Sequence, residues 1–307
     1  MGKTYKKIMI GLDTTSMDAT LIQYTAFLIP ILKPEKIYFI HIHQNLDIPD
    51  ELREELNEAF TPLDEQLEEQ MKQTVAQNFP QHTQYDIDYE LVEGSPQKEL
   101  LRWTHIKDID LLIMGRKETI QGDAVIPQQV SRSSTCSVLF VPEKITCKIS
   151  RILTPSDFSQ YSKQAFEHSL RWAKELNATL DFQYIYTVPQ GYYKTGKTQK
   201  EFAKIMKGNA QKQYDQFIQD IDTQNVTIEQ TYTLDPTKGN TAQLINQHAI
   251  DSTADFIIMG ARGRTLLTSF FLGSTTEKLI TLNSQTPLLV IKKKNEAFGI
   301  LKMLDLV

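Results

Sequence analysis

The chain has 307 residues, of which 40% are hydrophobic and 23% charged, with a net charge of −5. That length predicts two domains, and that charge argues against wholesale nucleic-acid binding. No window approaches the ~18 uninterrupted apolar residues of a membrane helix, and two cysteines, Cys136 and Cys147, exclude both a disulfide scaffold and a four-cysteine zinc site; they are expected to be reduced thiols, which favours a cytoplasm.

In chain order, the first predicted strand is Ile8-Met9-Ile10-Gly11-Leu12-Asp13. The second ends on His41 and His43, which alternation puts on one face; an H-x-H pair can bind metal, but no further ligand sits at matching spacing. Residues 50–69 carry nine acids and read as a solvated helix face. Gly94 follows the third strand region, Asp110-Leu111-Leu112-Ile113-Met114-Gly115 gives the fourth, and Cys136-Ser137-Val138-Leu139-Phe140-Val141 gives the fifth, with Cys136 as a packing residue.

The series then starts again. Ile152-Leu153-Thr154-Pro155-Ser156-Asp157 matches the first strand 144 residues on, Gly239 matches Gly94 at 145, and Asp255–Gly260 matches Asp110–Gly115 at 145. Thr286–Ile291 matches Cys136–Val141 at 150, so copy one has the shorter loop between Gly115 and Cys136. In copy two the predicted strands are Ile152–Thr154, Leu180–Tyr186, Thr227–Leu234, Phe256–Met259 and Leu288–Ile291. The predicted helices are Ser162–Leu176, Lys200–Ile221, Thr241–Ile250 and Thr275–Leu282, with Ser159 as a cap for the first. Strands alternating with helices predict an α/β fold, a doubly wound parallel sheet with helices on both faces, built twice. Ligands of such sheets bind beyond the C-terminal strand ends, at the point where strand order reverses. Residues 1–150 hold 15 basic and 23 acidic residues, and residues 151–307 hold 18 and 15, so an anion is better received by the second half.

Two glycine motifs lie in copy two. Gly191–Thr198 fits the P-loop pattern G-x4-G-K-T, but two tyrosines crowd it, and Asp110 and Asp255 precede their strands instead of ending them as a magnesium partner would. The other motif follows the fourth strand: Gly260, Gly263 and Gly273 are spaced G-x2-G-x9-G, with Ser274, Thr275 and a helix after them. Glycines let backbone N–H groups approach an anion and adopt positive φ, and a helix N-terminus attracts negative charge. Ser274 and Thr275 add hydroxyls, and Arg262 and Arg264 add charge. Phosphate binding is predicted here.

These motifs resemble those of tandem universal stress proteins, over essentially residues 3–293, and the G-x2-G-x9-G-S/T pattern resembles the ATP-binding branch of that family. The resemblance implies two domains, 1–147 and 148–294, each a five-stranded parallel sheet of order 3-2-1-4-5, followed by a tail, 295–307. It implies ATP, with magnesium admitted alongside, held by copy two. Pro155, Ser156 and Asp157 would lie beside the nucleoside, Ile185 against adenine, and Met259, Gly260, Arg262 and Gly263 along ribose and phosphates. Gly273, Ser274 and Thr275 would hold the phosphates. It further implies intrachain pairing of the two domains, with a homodimer admitted. Copy one departs from the pattern. Glu118 stands at the second glycine, only six residues separate Gly115 from Gly122, and Asp123 follows in place of Ser. Acids in a phosphate cradle repel the ligand, so copy one is expected to hold no triphosphate and either to serve as a pairing partner or to bind something else.

The leading expectation is a regulatory module that binds an adenine nucleotide. The competing readings are an ATP-hydrolysing enzyme, using Gly191–Thr198 or slow hydrolysis beside Asp157, and a structural scaffold. Neither an H-x-G-H nor an S-G-G-x-D-S ligase signature is present.

Overall fold

The computed structural model describes residues 5–43, 65–80, 82–117, 125–223, 225–263 and 272–292. The chain separates into two units, one comprising residues 4–147 and the other residues 148–292.

In the first unit the order is β1 (Lys7–Leu12), α1 (Met17–Leu32), β2 (Lys36–His43), α2 (65–78), β3 (Asp86–Glu93), α3 (Pro96–Ile106), β4 (Leu111–Arg116), α4 (Val125–Ser133) and β5 (Ser137–Pro142). The second unit repeats it as β6 (Arg151–Ser156), α5 (Gln160–Leu176), β7 (Thr179–Tyr186), α6 (Gln199–Ile218), β8 (Ile228–Leu234), α7 (Thr241–Asp251), β9 (Phe256–Gly260), α8 (Ser274–Leu282) and β10 (Leu288–Ile291). The strand orders are β3-β2-β1-β4-β5 and β8-β7-β6-β9-β10, which is 3-2-1-4-5 in each. The pairings within each unit are parallel.

The central strands are apolar on both faces because helices cover both. Ile8, Met9, Ile10, Leu111, Leu112, Ile113, Val138 and Leu139 are fully buried in the first unit, and Ile152, Leu153, Phe256, Ile257, Ile258, Leu288, Leu289 and Val290 in the second. The expected helix Lys200–Ile221 runs from Gln199 to Ile218, and the first strand of copy two extends beyond Ile152–Thr154 at both ends. Among the described residues no helix is long and apolar enough to cross a membrane.

The topology sets up a crevice. In unit one β1 and β4 pair over four positions, Ile8↔Leu111 to Gly11↔Met114. In unit two β6 and β9 pair over only two, Ile152↔Phe256 and Leu153↔Ile257. The ladder ends before Pro155, which has no N–H to extend it. Beyond that point β6 and β9 are no longer tied together, at the place where strand order reverses.

Candidate functional site

The site is built from the ends of β6 and β9 and the turns that leave them. After β6 the chain turns sharply, with Phe158 at φ 61°, a left-handed conformation uncommon outside glycine. Its ring packs 4.5 Å from that of Tyr184 and 5.4 Å from that of Phe217, and this apolar seat helps hold the strained residue in place. Hydrogen bonds close the turn. Ser156 Oγ accepts from Phe158 N–H at 3.1 Å and donates to Ser162 Oγ at 3.1 Å, and Ser159 caps α5 by accepting from Ser162 N–H at 3.2 Å. Asp157 Oδ1 accepts from Ser159 N–H at 3.0 Å.

The glycines meet this turn. A Cβ built on Gly263 would lie 2.6 Å from Asp157 Oδ2, and one on Gly260 would lie 2.8 Å from the backbone oxygen of Tyr161. Gly273 N–H donates to the Ala261 carbonyl at 2.8 Å, and Thr276, whose hydroxyl donates to the Gly260 carbonyl at 3.2 Å, ties the first turn of α8 to the end of β9. Because α8 begins at Ser274, the N–H groups of its first turn have no intrahelical acceptor. Arg262 leans on Tyr161: Nη1 donates to the phenol oxygen at 3.0 Å, and the guanidinium lies 5.3 Å from the ring centroid.

Pro155, Ser156, Asp157, Met259, Gly260, Arg262, Gly263, Gly273, Ser274 and Thr275 therefore belong to adjacent strand ends and the two turns that meet there. Ile185 is half-buried near the end of β7, opposite Thr233 of β8. One expectation is corrected. Positive φ is found at Gly94, Gly191, Gly196 and Gly239, not at Gly260, Gly263 or Gly273; the site glycines are needed for close approach, not for left-handed backbone. The Ser156 hydroxyl is engaged inside the turn. Met259 is buried, at 6% exposure. Two residues that sequence reasoning missed, Tyr161 and Thr276, join the constellation. Tyr161 carries no motif, and only its alignment with Met17 in copy one could have drawn attention to it. Arg264 and residues 265–271 lie outside the described residues.

The P-loop-like segment leads into α6. Tyr192–Thr195 form a 3-10 turn between Gly191 at φ 84° and Gly196 at φ 72°, and Thr198 and Glu201 form a capping box at the start of α6. The Thr198 hydroxyl donates to Glu201 Oε2 at 2.8 Å, and Glu201 also accepts from Thr198 N–H at 2.8 Å. The hydroxyl that would serve magnesium in a P-loop is used in a cap.

Copy one places Asp13 and Lys117 where copy two has Asp157 and Arg262. Thr14 at φ 60° occupies the position of Phe158. Lys117 Nζ lies 2.7 Å from Asp13 Oδ2. Burial pushes the Asp13 carboxyl up, but the Lys117 ammonium and the Thr15 hydrogen bonds outweigh it and leave it below the usual carboxylate range. Beneath them Asp18 accepts from the N–H groups of Asp13, at 2.9 Å, and Thr14, at 2.8 Å. Burial, with the neighbouring Asp13 charge, pushes the Asp18 carboxyl up to about 6 against the two backbone hydrogen bonds. Glu118, Gly122 and Asp123 lie outside the described residues. His41 is buried with Nδ1 3.1 Å from the Leu12 carbonyl, and among the described residues no group of three metal-ligating side chains forms. Cys136 is fully buried.

The profile of the universal stress protein family matches residues 4–142 and 148–292. The chain is similar to a universal stress protein of Methanocaldococcus jannaschii, with 28% identity over 144 residues, 47% of this chain and 82% of that protein. Its fold is similar to the crystal structure of a universal stress protein from Archaeoglobus fulgidus, with a TM-score of 0.61, 15% identity, and coverage of 95% of this chain and 100% of the other. It is similar as well to a protein of unknown function from Pseudomonas aeruginosa, with a TM-score of 0.64, 12% identity, and coverage of 98% and 97%. With both halves matched and the same strand order in each, the chain belongs to the universal stress protein family as a tandem of two of its domains.

Proposed function

We propose that the second domain binds an adenine nucleotide, ATP with magnesium admitted beside it, and that the protein works as a nucleotide-dependent regulatory module in a reducing cytoplasm. The observation that carries this reading is the fit of glycine against carboxylate. The Asp157 carboxylate lies so close to Gly263 that any side chain there would meet it, while Gly260 and Gly273 bring the end of β9 and the start of α8 together. A carboxylate beside a glycine turn, a helix N-terminus and an arginine suits a sugar with hydroxyls to donate and phosphates to be cradled. Magnesium would add positive charge to the phosphates, and Asp157 is the carboxylate at the strand ends that faces the cradle.

In this reading the first domain is the pairing partner, because its Asp13 and Lys117 neutralise each other. A regulator needs the occupied and empty states to differ at a surface; it does not need a general base. Mass analysis of the small molecule that co-purifies with the protein tests the proposal. An adenine nucleotide is expected, and protein that carries none and fails to bind added ATP in titration calorimetry refutes it. Turnover assays with chelator controls separate binder from hydrolase.

A further inference from the structure

The connections from the second strand to the third carry opposite charge in the two copies. Residues 194–213 hold six lysines, Lys194, Lys197, Lys200, Lys204, Lys207 and Lys212, and one acid, Glu201. The 144-residue repeat places residues 50–69 at the same station in copy one, and these hold nine acids and one base, Arg53. The net charges of these two segments of equal length are +5 and −8. The shared fold does not require the inversion.

In copy two the segment is the turn between Gly191 and Gly196, which carries Lys194, and most of α6. Ala203, Ala210 and Tyr214 are the buried side of α6. At 3.6 residues per turn Lys200, Lys204 and Lys207 fall on one stripe outside it, and all six lysines are exposed. Among the described residues none of the six forms an ion pair. Glu201, the acid among them, accepts from the Thr198 N–H and hydroxyl, with the Lys197 charge acting on it through space. Tyr193, 67% exposed, and Ile205, 47% exposed, add apolar area to the same stretch.

Like charges three and four residues apart on a helix repel one another, and α6 offers no acid at those spacings to offset Lys204 and Lys207. An acidic partner would relieve that repulsion. All six cations are lysines, compact point charges without the planar fork by which arginine grips a phosphate. The chain as a whole is at −5, which opposes the approach of a nucleic acid or an anionic bilayer. Acids matched to the stripe in length and charge occur in the chain itself, at 50–69, of which 65–69 belong to α2. One exposed ion pair contributes little, so an array of them is needed. We infer that the lysine face of α6 is a self-association surface, and that its occupant is the acidic segment 50–69 of a second copy of this chain. Two different patches meet in such a contact, and every chain carries one of each. The inference does not rest on the nucleotide reading.

The test is a charge swap read by analytical ultracentrifugation of the full chain over a range of concentrations. One variant combines Lys200→Glu, Lys204→Glu and Lys207→Glu; the other combines Glu54→Lys, Glu55→Lys and Glu58→Lys; each is confirmed folded by thermal melting. Wild type is expected to self-associate at low salt and to weaken by about tenfold or more between about 50 and about 500 mM NaCl. Association driven by apolar burial against the net repulsion of the chains would instead hold or strengthen with salt. Each variant alone should be monomeric, because one carries acids at both stations and the other carries bases at both. Mixing the two should restore association, which also shows that neither has lost its fold. Wild type that is monomeric at every concentration overturns the inference, as does association that salt leaves unchanged, that either variant retains, or that mixing fails to restore. Phosphatidylserine vesicles and a short DNA duplex are run alongside: monomeric wild type that binds either one, with loss of binding in the lysine variant, overturns the inference and gives the face to a polyanion.

Discussion

Phe158 and Thr14 hold the same left-handed turn in the two copies, yet different forces hold each one. Phe158 is seated among aromatic rings, while the Thr14 hydroxyl donates to the Asp13 carbonyl at 2.7 Å. The glycines that follow differ in a comparable way. At Gly260 an added methyl would strike the Tyr161 backbone at 2.8 Å, whereas at Gly115 it would strike the flexible Met17 side chain, the nearest atom at 2.7 Å. Gly260→Ala should therefore cost about 2 kcal/mol in chemical denaturation, and Gly115→Ala about 1 kcal/mol or less. Gly263→Glu copies the residue of copy one and sets a second carboxylate beside Asp157. It is expected to abolish ATP binding in calorimetry, and retention within about threefold, or ~0.65 kcal/mol, would place the site elsewhere. Asp18 supplies a pH effect. Its folded carboxyl titrates at about 6 against an ordinary 3.8, so the folded state holds this proton more tightly than the unfolded chain does. Its stabilising contribution is full below the unfolded value and is lost as pH rises through about 6. The first domain should thus lose stability between these pH values, and Asp18→Asn should flatten that slope in denaturation curves run from pH 4 to 7. The depressed Asp13 acts in the opposite sense, its contribution being lost as pH falls below the ordinary value.

Between elements, equivalent positions carry different chemistry on one scaffold. Under α7, Asp181 of β7 is 1% exposed and lies 2.8 Å from His248 Nε2, with Arg151 at 3.7 Å. Under α3 the corresponding place holds Tyr38 and Trp103, with the Lys107 ammonium 5.2 Å from one ring and 5.1 Å from the other. A buried carboxylate in contact with an imidazole and a cation over aromatic rings fill the same interface between strand and helix. The P-loop-like segment teaches the same point, since its threonine caps a helix. Lys197→Ala is expected to weaken ATP binding less than fivefold, about 1 kcal/mol, because its exposed ammonium adds at most a salt-screened ion pair. Thr198→Ala should cost about 1 kcal/mol of stability through the lost cap and leave ATP affinity unchanged. Wholesale loss of binding in Lys197→Ala would make the hydrolase reading the leading one.

For the whole molecule, duplication with divergence predicts one nucleotide per chain, in the second domain. Calorimetry should give a stoichiometry near one, and two equivalent sites would contradict the argument from Asp13 and Lys117. Because ATP would bind the folded second domain and not the unfolded chain, saturating ATP should raise the melting temperature in a calorimetric scan.

Much of this was legible in the sequence, because repeat period and apolar alternation are local and additive. The near-constant 144–145 spacing revealed two copies, the alternation of strands and helices gave the parallel sheet, and the glycine spacing located the turn at the end of the fourth strand. Tertiary structure alone decided which groups share space. Asp157 and Gly263 are 106 positions apart and become neighbours only because strand order reverses between β6 and β9. Tyr161 gains its place beside Arg262 for the same reason, and nothing in its own neighbourhood of the sequence announces it. In the P-loop-like pattern at Gly191–Thr198 the threonine hydroxyl bonds Glu201, three residues on, a contact that pattern matching does not foresee. Sequence specifies the covalent order and the preferences of each segment. Contacts between distant segments depend on the sheet that brings strand ends together.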